Sequence, residues 1–183
     1  MKRRVFLKSA ASTLPLVLTG PLADALPSAA PSPQIHVVPS GKDRFGETHA
    51  PGYAELLFKT APQDSDGSLF AIEHNRMLPG YGPPLHLHYA QDEWFYVMEG
   101  EVLFQVGGQR VRLKPGESVL GPRNIPHAFT PVGPQPARML ITFTPAGKME
   151  QFFRDTATLG PHQGPEIYSR YGMKRLGPPI KVD

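Results

Sequence analysis

The sequence predicts an all-β domain, a small barrel or sandwich of short strands, and three observations support this prediction. The 183 residues include 22 Pro and 18 Gly, which are too many chain breakers for long helices. Short apolar stretches follow one another, with turn signals about 8–12 residues apart. Hydrophobic residues make up 40% of the chain, which is enough for a single buried core and fits one domain better than two.

The predicted strands share apolar stretches, several of them alternating, that end at Gly, Pro or polar bends. The hairpin signal Gly107-Gly108 separates two of them. They cover residues 53–59, 68–73, 85–89, 93–98, 101–106, the segment around Val111 and Leu113, 117–121 and 138–144. Strands of this length and spacing favour a closed β architecture over a helical one.

One helix is predicted near the end of the chain, from about Ala146 to Leu159. It is expected to pack against the barrel, because its apolar residues follow helical spacing. These residues are Met149, Phe152 and Phe153, followed by Thr156 on the same face. The tail from Gly164 to Asp183 is expected to be irregular and to lie over the surface.

The first 25 residues have the features of a targeting segment. They open with KRRVFLK, continue with an apolar stretch that is short for a membrane span, and end at the candidate cleavage site Ala23-Asp24-Ala25. The segment resembles a bacterial twin-arginine signal, whose pattern R-R-x-F-L-K matches Arg3, Arg4, Phe6, Leu7 and Lys8. This resemblance implies export of the folded protein to the periplasm or the cell exterior. An uncleaved anchor is the alternative.

Cleavage would leave no stable membrane span. Residues 26–34 would then form a flexible Pro/Ser linker, and residues 35–183 the exported domain. The formal net charge of +3 comes from the signal, where Lys2, Arg3, Arg4 and Lys8 stand against Asp24 alone. The remaining charges balance, so the sequence gives no indication of a nucleic-acid partner, and we expect a small-molecule one.

Four residues could form a metal site. His86 and His88 lie two apart, so on a strand both imidazoles project from one face. Glu93 lies at an odd offset, but the polar bend at Tyr89–Asp92 starts a new strand and allows its side chain to point inward. His127 follows 34 residues after Glu93, and a closed barrel can bring it to the same interior point.

Three neutral imidazoles and one carboxylate suit a single divalent transition metal ion, which could be Mn, Fe, Co, Ni, Cu or Zn. Such a site leaves one or two coordination positions open for water, substrate or dioxygen. The chain has no Cys, so thiolate ligands and disulfides are excluded. The other histidines lack a comparable pattern around them and are interpreted as ordinary surface or core residues: His36, His49, His74 and His162.

The residues around the four candidates resemble the two cupin motifs. The first, G-x5-H-x-H-x3,4-E-x6-G, is matched in full from Gly80 to Gly100. The second, G-x5-P-x-G-x2-H-x3-N, is matched at Gly116, Pro122 and His127, with Asn124 in place of Gly and Pro131 in place of Asn. Asn tolerates the left-handed backbone that Gly allows, and neither change removes a ligand. The segment after His127 is interpreted as a loop. The resemblance, at residues 80–131, implies a cupin jelly-roll barrel with a short C-terminal helix.

Within the cupins, the sequence looks most like the quercetin 2,3-dioxygenase-like group. The matching segments are Pro83-Pro84, Asp92–Val97, PRNIPHAF at 122–129, Phe152-Phe153, Tyr171-Gly172 and Gly177–Pro179. In that group the metal activates a flavonol and the Glu ligand acts as a base. The resemblance therefore implies a metal-dependent dioxygenase for a flavonol-like or other enolic phenol, with Glu93 as both ligand and catalytic base.

Two other function classes remain open from the sequence. One is a metal-dependent isomerase or lyase that needs no oxygen, and the other is a non-catalytic cupin that binds a small molecule. The interior around the substrate is expected to be lined by Phe95, Phe104, Phe129, Met139 and Ile141, of which at least some would be plain core residues. Cupins commonly dimerise, so a homodimer is also an open alternative.

Overall fold

The structure is a computed structural model that describes residues 35–50, 54–157, 159 and 164–182. The predicted signal at 1–25, the predicted linker at 26–34 and His162 lie outside these residues. The fold belongs to the compact unit that begins at Val37. Within the described ranges, no helix is both long enough and apolar enough to cross a membrane.

Ten strands build the described part of this unit. They are β1 (Glu55–Thr60), β2 (Phe70–Met77), β3 (Pro84–His88), β4 (Asp92–Glu99), β5 (Glu101–Val106), β6 (Gln109–Leu113), β7 (Ser118–Gly121), β8 (His127–Val132), β9 (Ala137–Thr144) and β10 (Met173–Pro179). The first sheet has the order β1-β2-β9-β4-β7 and the second has the order β10-β3-β8-β5-β6. All pairs are antiparallel, and the predicted all-β jelly roll is confirmed.

The core lies between the inner faces of the two sheets. Along β4 and β9, every second side chain is buried, as the two-residue period of a half-covered strand requires. Aromatic and sulfur-containing side chains fill the interior, and the largest fully buried ones include Phe58, Phe70, Phe95, Phe104, Phe143 and Met139. The expected alternation therefore places Glu93, Phe95 and Val97 inward together.

The prediction of an irregular tail from Gly164 to Asp183 is wrong. After the helix α1 (Met149–Thr156), the chain forms a second helix, α2 (Pro165–Arg170), and then β10, which pairs with β3. Gly177 and the two prolines after it disfavour the prediction of a strand. The strand is tolerated because β10 lies at the edge of its sheet, where a missing N–H donor does not break the pairing. The helix α1 begins later than expected because Gly147, with φ +55°, has a left-handed backbone.

The segment after His127 is also not a loop, since it forms the strand β8. Its residues are all buried, including Pro131, which sits opposite Val102 of β5. On the other side, β8 pairs with β3 only at His127 and His86. Pro131 therefore lies beyond the short stretch of β3 pairing, where the absence of an N–H group costs little.

Candidate metal centre

The four predicted ligand residues come from both sheets. His86 and His88 lie on β3 and His127 lies on β8 of the second sheet, whereas Glu93 lies on β4 of the first. In β3 the buried side chains alternate, so both histidines point into the interior. The chain leaves β3 after His88 and crosses to the other sheet before Glu93, which turns the carboxylate back towards the imidazoles.

The ligand atoms of these residues converge inside the barrel. The Nε2 atoms of His88 and His127 lie 3.0 Å and 2.9 Å from Oε2 of Glu93. One nitrogen or carboxylate oxygen from each of the four residues lies within 4.8 Å of the others. All four residues are buried, with His86 the most exposed at 6%. They are therefore positioned to bind one metal ion, as the sequence predicts.

Backbone carbonyl groups orient two of the imidazoles. Nδ1 of His86 donates a hydrogen bond to the Pro84 oxygen at 2.8 Å, and Nδ1 of His127 donates to the Ile125 oxygen at 2.9 Å. A carbonyl can only accept, so these bonds place a proton on Nδ1 and direct Nε2 towards the centre. This is the usual way in which proteins orient histidine ligands towards a metal.

The His88 ring provides a test of whether the site fits a metal. Both of its nitrogens are buried without a hydrogen-bond partner in the described part of the chain, because Nε2 approaches Glu93 outside hydrogen-bond geometry. An unpaired buried nitrogen costs free energy, and a metal ion would satisfy Nε2. Three imidazoles with one carboxylate also form a donor set that suits the divalent transition metals. The residues therefore fit the ion that the sequence predicts.

The ionisation of the centre agrees with a ligand role. Burial, together with the neighbouring His127 and His88, lowers the pKa of His86 to about 3, so its imidazole is neutral and can donate a lone pair. Burial alone would raise the pKa of Glu93, but its contacts with His127 and His88 keep that pKa well below the ordinary value. Burial would likewise lower the pKa of His127, but its bond with Glu93 raises it. A bound metal would replace the proton between these two residues.

A cavity opens beside the four ligands. It contains about 670 Å³ of unfilled space, including the part that opens to solvent, and reaches His86, His88 and Glu93. Most of its other walls are apolar and come from the strands, α1 and α2. These wall residues include Ile141, Phe129, Phe143, Met149, Phe152, Phe153, Tyr168 and Met173. A metal centre at a concave, mainly apolar cavity is a typical small-molecule site.

The residues predicted to line the substrate site divide into two groups. Phe129 and Ile141 line the cavity. Phe95, Phe104 and Met139 are fully buried in the core and are not among its wall residues. The helical walls, above all Phe152, Phe153 and Tyr168, are not among the predicted lining residues, because no strand period links them to the motifs.

The remaining described histidines occupy different environments. His36 is exposed. His49 stacks on Phe58, with ring centroids 4.4 Å apart. His74, by contrast, is 4% exposed and lines the cavity beside the metal centre. Its position on β2, in step with the inward-facing Phe70 and Ile72, is the sequence signal that points it into the interior.

Gly121 also contributes to the centre, although no sequence motif includes it. It ends β7 directly opposite Glu93, and a Cβ at this position would lie 3.1 Å from Nδ1 of His127. Only glycine leaves the His127 ring enough room in its present orientation. The close packing of a ring on a backbone is a tertiary contact that sequence spacing does not reveal.

Known proteins resemble the middle of the chain. Residues 74–143 match the family described as "Cupin domain". The tetracenomycin polyketide synthase protein TcmJ of Streptomyces glaucescens is 31% identical over 74 residues, which make up 40% of this chain and 50% of that protein. An uncharacterized protein of Methanocaldococcus jannaschii is 30% identical over 61 residues, or 33% of this chain and 49% of that protein. The chain thus spans about half the length of the curated relatives it matches.

Solved structures are also similar to this chain. An RmlC-like cupin from Shewanella frigidimarina has a TM-score of 0.49 and 23% identity, over 57% of this chain and 87% of that one. The oxalate decarboxylase of Lactobacillus farciminis, in a formate complex, has a TM-score of 0.47 and 16% identity, over 71% of this chain and 33% of that one. The segment that matches the cupin-domain family, residues 74–143, includes all four candidate ligand residues, and the two-sheet fold agrees with this match.

Proposed function

We propose that this protein binds one divalent transition metal ion at His86, His88, Glu93 and His127 and is a dioxygenase for a flavonol-like or other enolic phenol. The observation that supports the proposal most strongly is that the four clustered donor residues lie beside a cavity with aromatic walls. The relatives do not establish the reaction, because the chain matches only about half of their length. The resemblance of the motif segments to the quercetin 2,3-dioxygenase-like group supports the choice of substrate.

The metal site, Glu93 and the apolar walls would each have a separate role in the reaction. Bound metal supplies Lewis acidity towards the oxygen atoms of the substrate. Glu93 is ionised and lines the cavity, so its carboxylate can accept the enol proton of a bound phenol. The apolar walls hold a flat ring system and exclude water. Phe129 and Phe143, on opposite sheets, line this space next to the ligand residues.

The test begins with protein purified without a chelator or a metal-binding tag, whose metal content is measured directly. Oxygen uptake is then recorded with a panel of flavonols and other phenols. We expect uptake that matches substrate loss and that disappears after chelation. Turnover that continues without oxygen would instead indicate an isomerase or lyase, and tight binding without turnover would indicate a binding protein.

We also propose export through the twin-arginine route, on the basis of KRRVFLK and the sites that follow it. Replacing Arg3 and Arg4 together with Lys keeps the charge but removes the paired arginines. The substituted precursor should remain in the cytoplasm in a fractionation experiment. Normal export of this variant would contradict the proposed route.

A further inference from the structure

His74 is a buried polar residue that the proposed reaction does not use. It is 4% exposed, and neither Nδ1 nor Nε2 has a hydrogen-bond partner among the described residues. It is not one of the four clustered ligands, yet it lines the same cavity. Its two nitrogens are therefore hydrogen-bonding groups in a cavity whose walls are otherwise mainly apolar.

The surroundings of His74 are aromatic. Its ring makes edge contacts with Phe129 and Phe153, with centroids 5.9 Å and 6.1 Å apart. Burial lowers the pKa of His74 to about 4, although the negative charge of Glu93 acts in the opposite direction. The ring is therefore neutral near neutral pH, with one N–H donor and one acceptor nitrogen.

An unpaired imidazole in such a place is costly for the fold. A buried donor or acceptor without a partner loses its hydration and gains nothing in return. A phenylalanine would pack against Phe129 and Phe153 without that cost. A buried polar side chain without a partner inside a ligand cavity is best explained by a polar group of the ligand that hydrogen-bonds to it.

The sheet register separates His74 from the metal centre. His74 pairs with Met139 on β9, whereas Glu93 pairs with Phe143 on the other side of the same strand. The two partners are four residues apart, which corresponds to about 13 Å of strand. A ligand that bridges the two positions would carry a polar group at each end.

We propose that His74 is a second anchoring point, which hydrogen-bonds to a hydroxyl or carbonyl oxygen at the end of the ligand remote from Glu93. The ligand class is a flat, uncharged, polycyclic phenol with oxygen groups at both ends. This inference deepens the proposed function and rests on it for the position of the enolic end. His74 acts here as a positioning and specificity residue, since it lies away from the reacting atoms.

The test compares two ligands and three proteins. Quercetin and 3-hydroxyflavone share the enolic edge, but only quercetin has hydroxyl groups on the outer rings. Calorimetry under nitrogen measures both dissociation constants for the metal-loaded wild type, His74→Phe and His74→Gln. We expect His74→Phe to weaken quercetin binding about tenfold and 3-hydroxyflavone binding by less than about twofold. His74→Gln keeps a donor and an acceptor and should restore part of the quercetin affinity.

A matched control is His49→Phe, which replaces a histidine outside the cavity walls and should leave both affinities unchanged. Thermal unfolding of the ligand-free proteins gives a readout independent of activity. His74→Phe should unfold at the same temperature as the wild type or higher, because it removes two unpaired nitrogens.

The inference would be overturned by equal losses for both flavonols, by unchanged affinities for both, or by a wild type that binds neither. A lower unfolding temperature with an unchanged affinity ratio would assign His74 a purely structural role and would also overturn it. Absent oxygen uptake, together with the expected affinity ratio, would refute the dioxygenase proposal and still support the anchoring role of His74.

Discussion

Glu93 has two roles in the proposed reaction, as a metal ligand and as a base, and Glu93→Gln distinguishes them. Gln keeps the size and an oxygen donor but removes the negative charge and the basicity. Metal affinity should fall, so turnover must be compared at equal metal occupancy. At equal occupancy, we expect a loss of about 10²–10⁴-fold in kcat, which is the usual contribution of a general base.

The control for Glu93→Gln is His36→Gln, which changes an exposed residue and should leave turnover nearly unaltered. A kcat for the occupancy-matched Glu93→Gln protein equal to that of the wild type would make Glu93 a ligand only. The proposed mechanism would then lack its proton acceptor.

Gly121 provides a second test at the scale of single residues. Gly121→Ala would place a methyl group 3.1 Å from Nδ1 of His127, so the ring must shift from the position in which Nδ1 donates to the Ile125 carbonyl. Disturbing the groups that orient a ligand typically costs about 10–100-fold in metal affinity, and we expect a loss in this range. Competition with a coloured chelator measures it.

Gly108→Ala is the matched control, because a Cβ at Gly108 meets nothing within 4 Å. Its metal affinity should equal that of the wild type. Equal affinity for Gly121→Ala as well would show that His127 has more freedom than its packing indicates.

At the scale of strands, a row of charged side chains forms ion pairs and hydrogen bonds across four neighbouring strands of the first sheet. Lys59 of β1 lies 3.2 Å from the Glu73 carboxylate of β2, and Arg138 of β9 donates to Glu73 at 2.7 Å and to Glu99 of β4 at 3.0 Å. Burial would raise the pKa of Glu73, but the bonds from Arg138 and Lys59 lower it overall. The ionised form of Glu73 therefore stabilises the folded state.

Glu73→Gln should lower the free energy of unfolding by about 2 kcal/mol at neutral pH, because charge-assisted bonds to a buried carboxylate are lost. The lowered pKa means that this contribution is present above the unfolded carboxyl pKa of about 4.3 and is lost as the pH falls through the folded value. The difference between wild type and variant in urea denaturation should thus shrink in acid. Glu99→Gln, at the exposed end of the row, should cost less than about 1 kcal/mol, and an equal cost would contradict the role of burial.

The strands also show what the sequence could and could not predict. Strands with clear alternation or clear turns, such as β4 and β5, lie where the pattern indicates. β8 and β10 contain prolines, which favour a loop when only the sequence is considered. Whether a strand tolerates a proline depends on which strands pair with it. Those neighbours are a property of the sheet order, which no local pattern encodes.

The same distinction applies to the site. His86, His88, Glu93 and His127 could be predicted because strand periodicity and the motif spacing determine their directions. The part of the cavity wall that comes from α1 and α2 could not be predicted, because these helices are placed only by tertiary packing. His74 lies just beyond the predicted strand at 68–73, so its spacing from Phe70 and Ile72 did not mark it as an inward-facing residue.

For the whole molecule, we expect metal to stabilise the fold without being required for it. The two sheets enclose a core of aromatic and aliphatic residues that does not depend on the centre, unlike the core of a zinc finger. An ion present at about one hundred times its dissociation constant contributes about 2.7 kcal/mol, which corresponds to roughly 5–10 °C in Tm. Chelation should lower Tm by this amount and leave the β-rich circular dichroism spectrum intact. Complete unfolding on chelation at room temperature would contradict this expectation.

The division of the ligands between the two sheets also affects the kinetics of folding. Glu93 and His127 are 34 residues apart and meet only when β4 and β8, on different sheets, face each other. The complete site therefore forms late, after the long-range pairing that limits the folding rate of β proteins. An interaction absent from the transition state slows unfolding and leaves the folding rate almost unchanged. In denaturant-jump experiments, bound metal should therefore lower the unfolding rate constant and leave the folding rate constant unchanged. The ion would extend the lifetime of the folded barrel without speeding its formation.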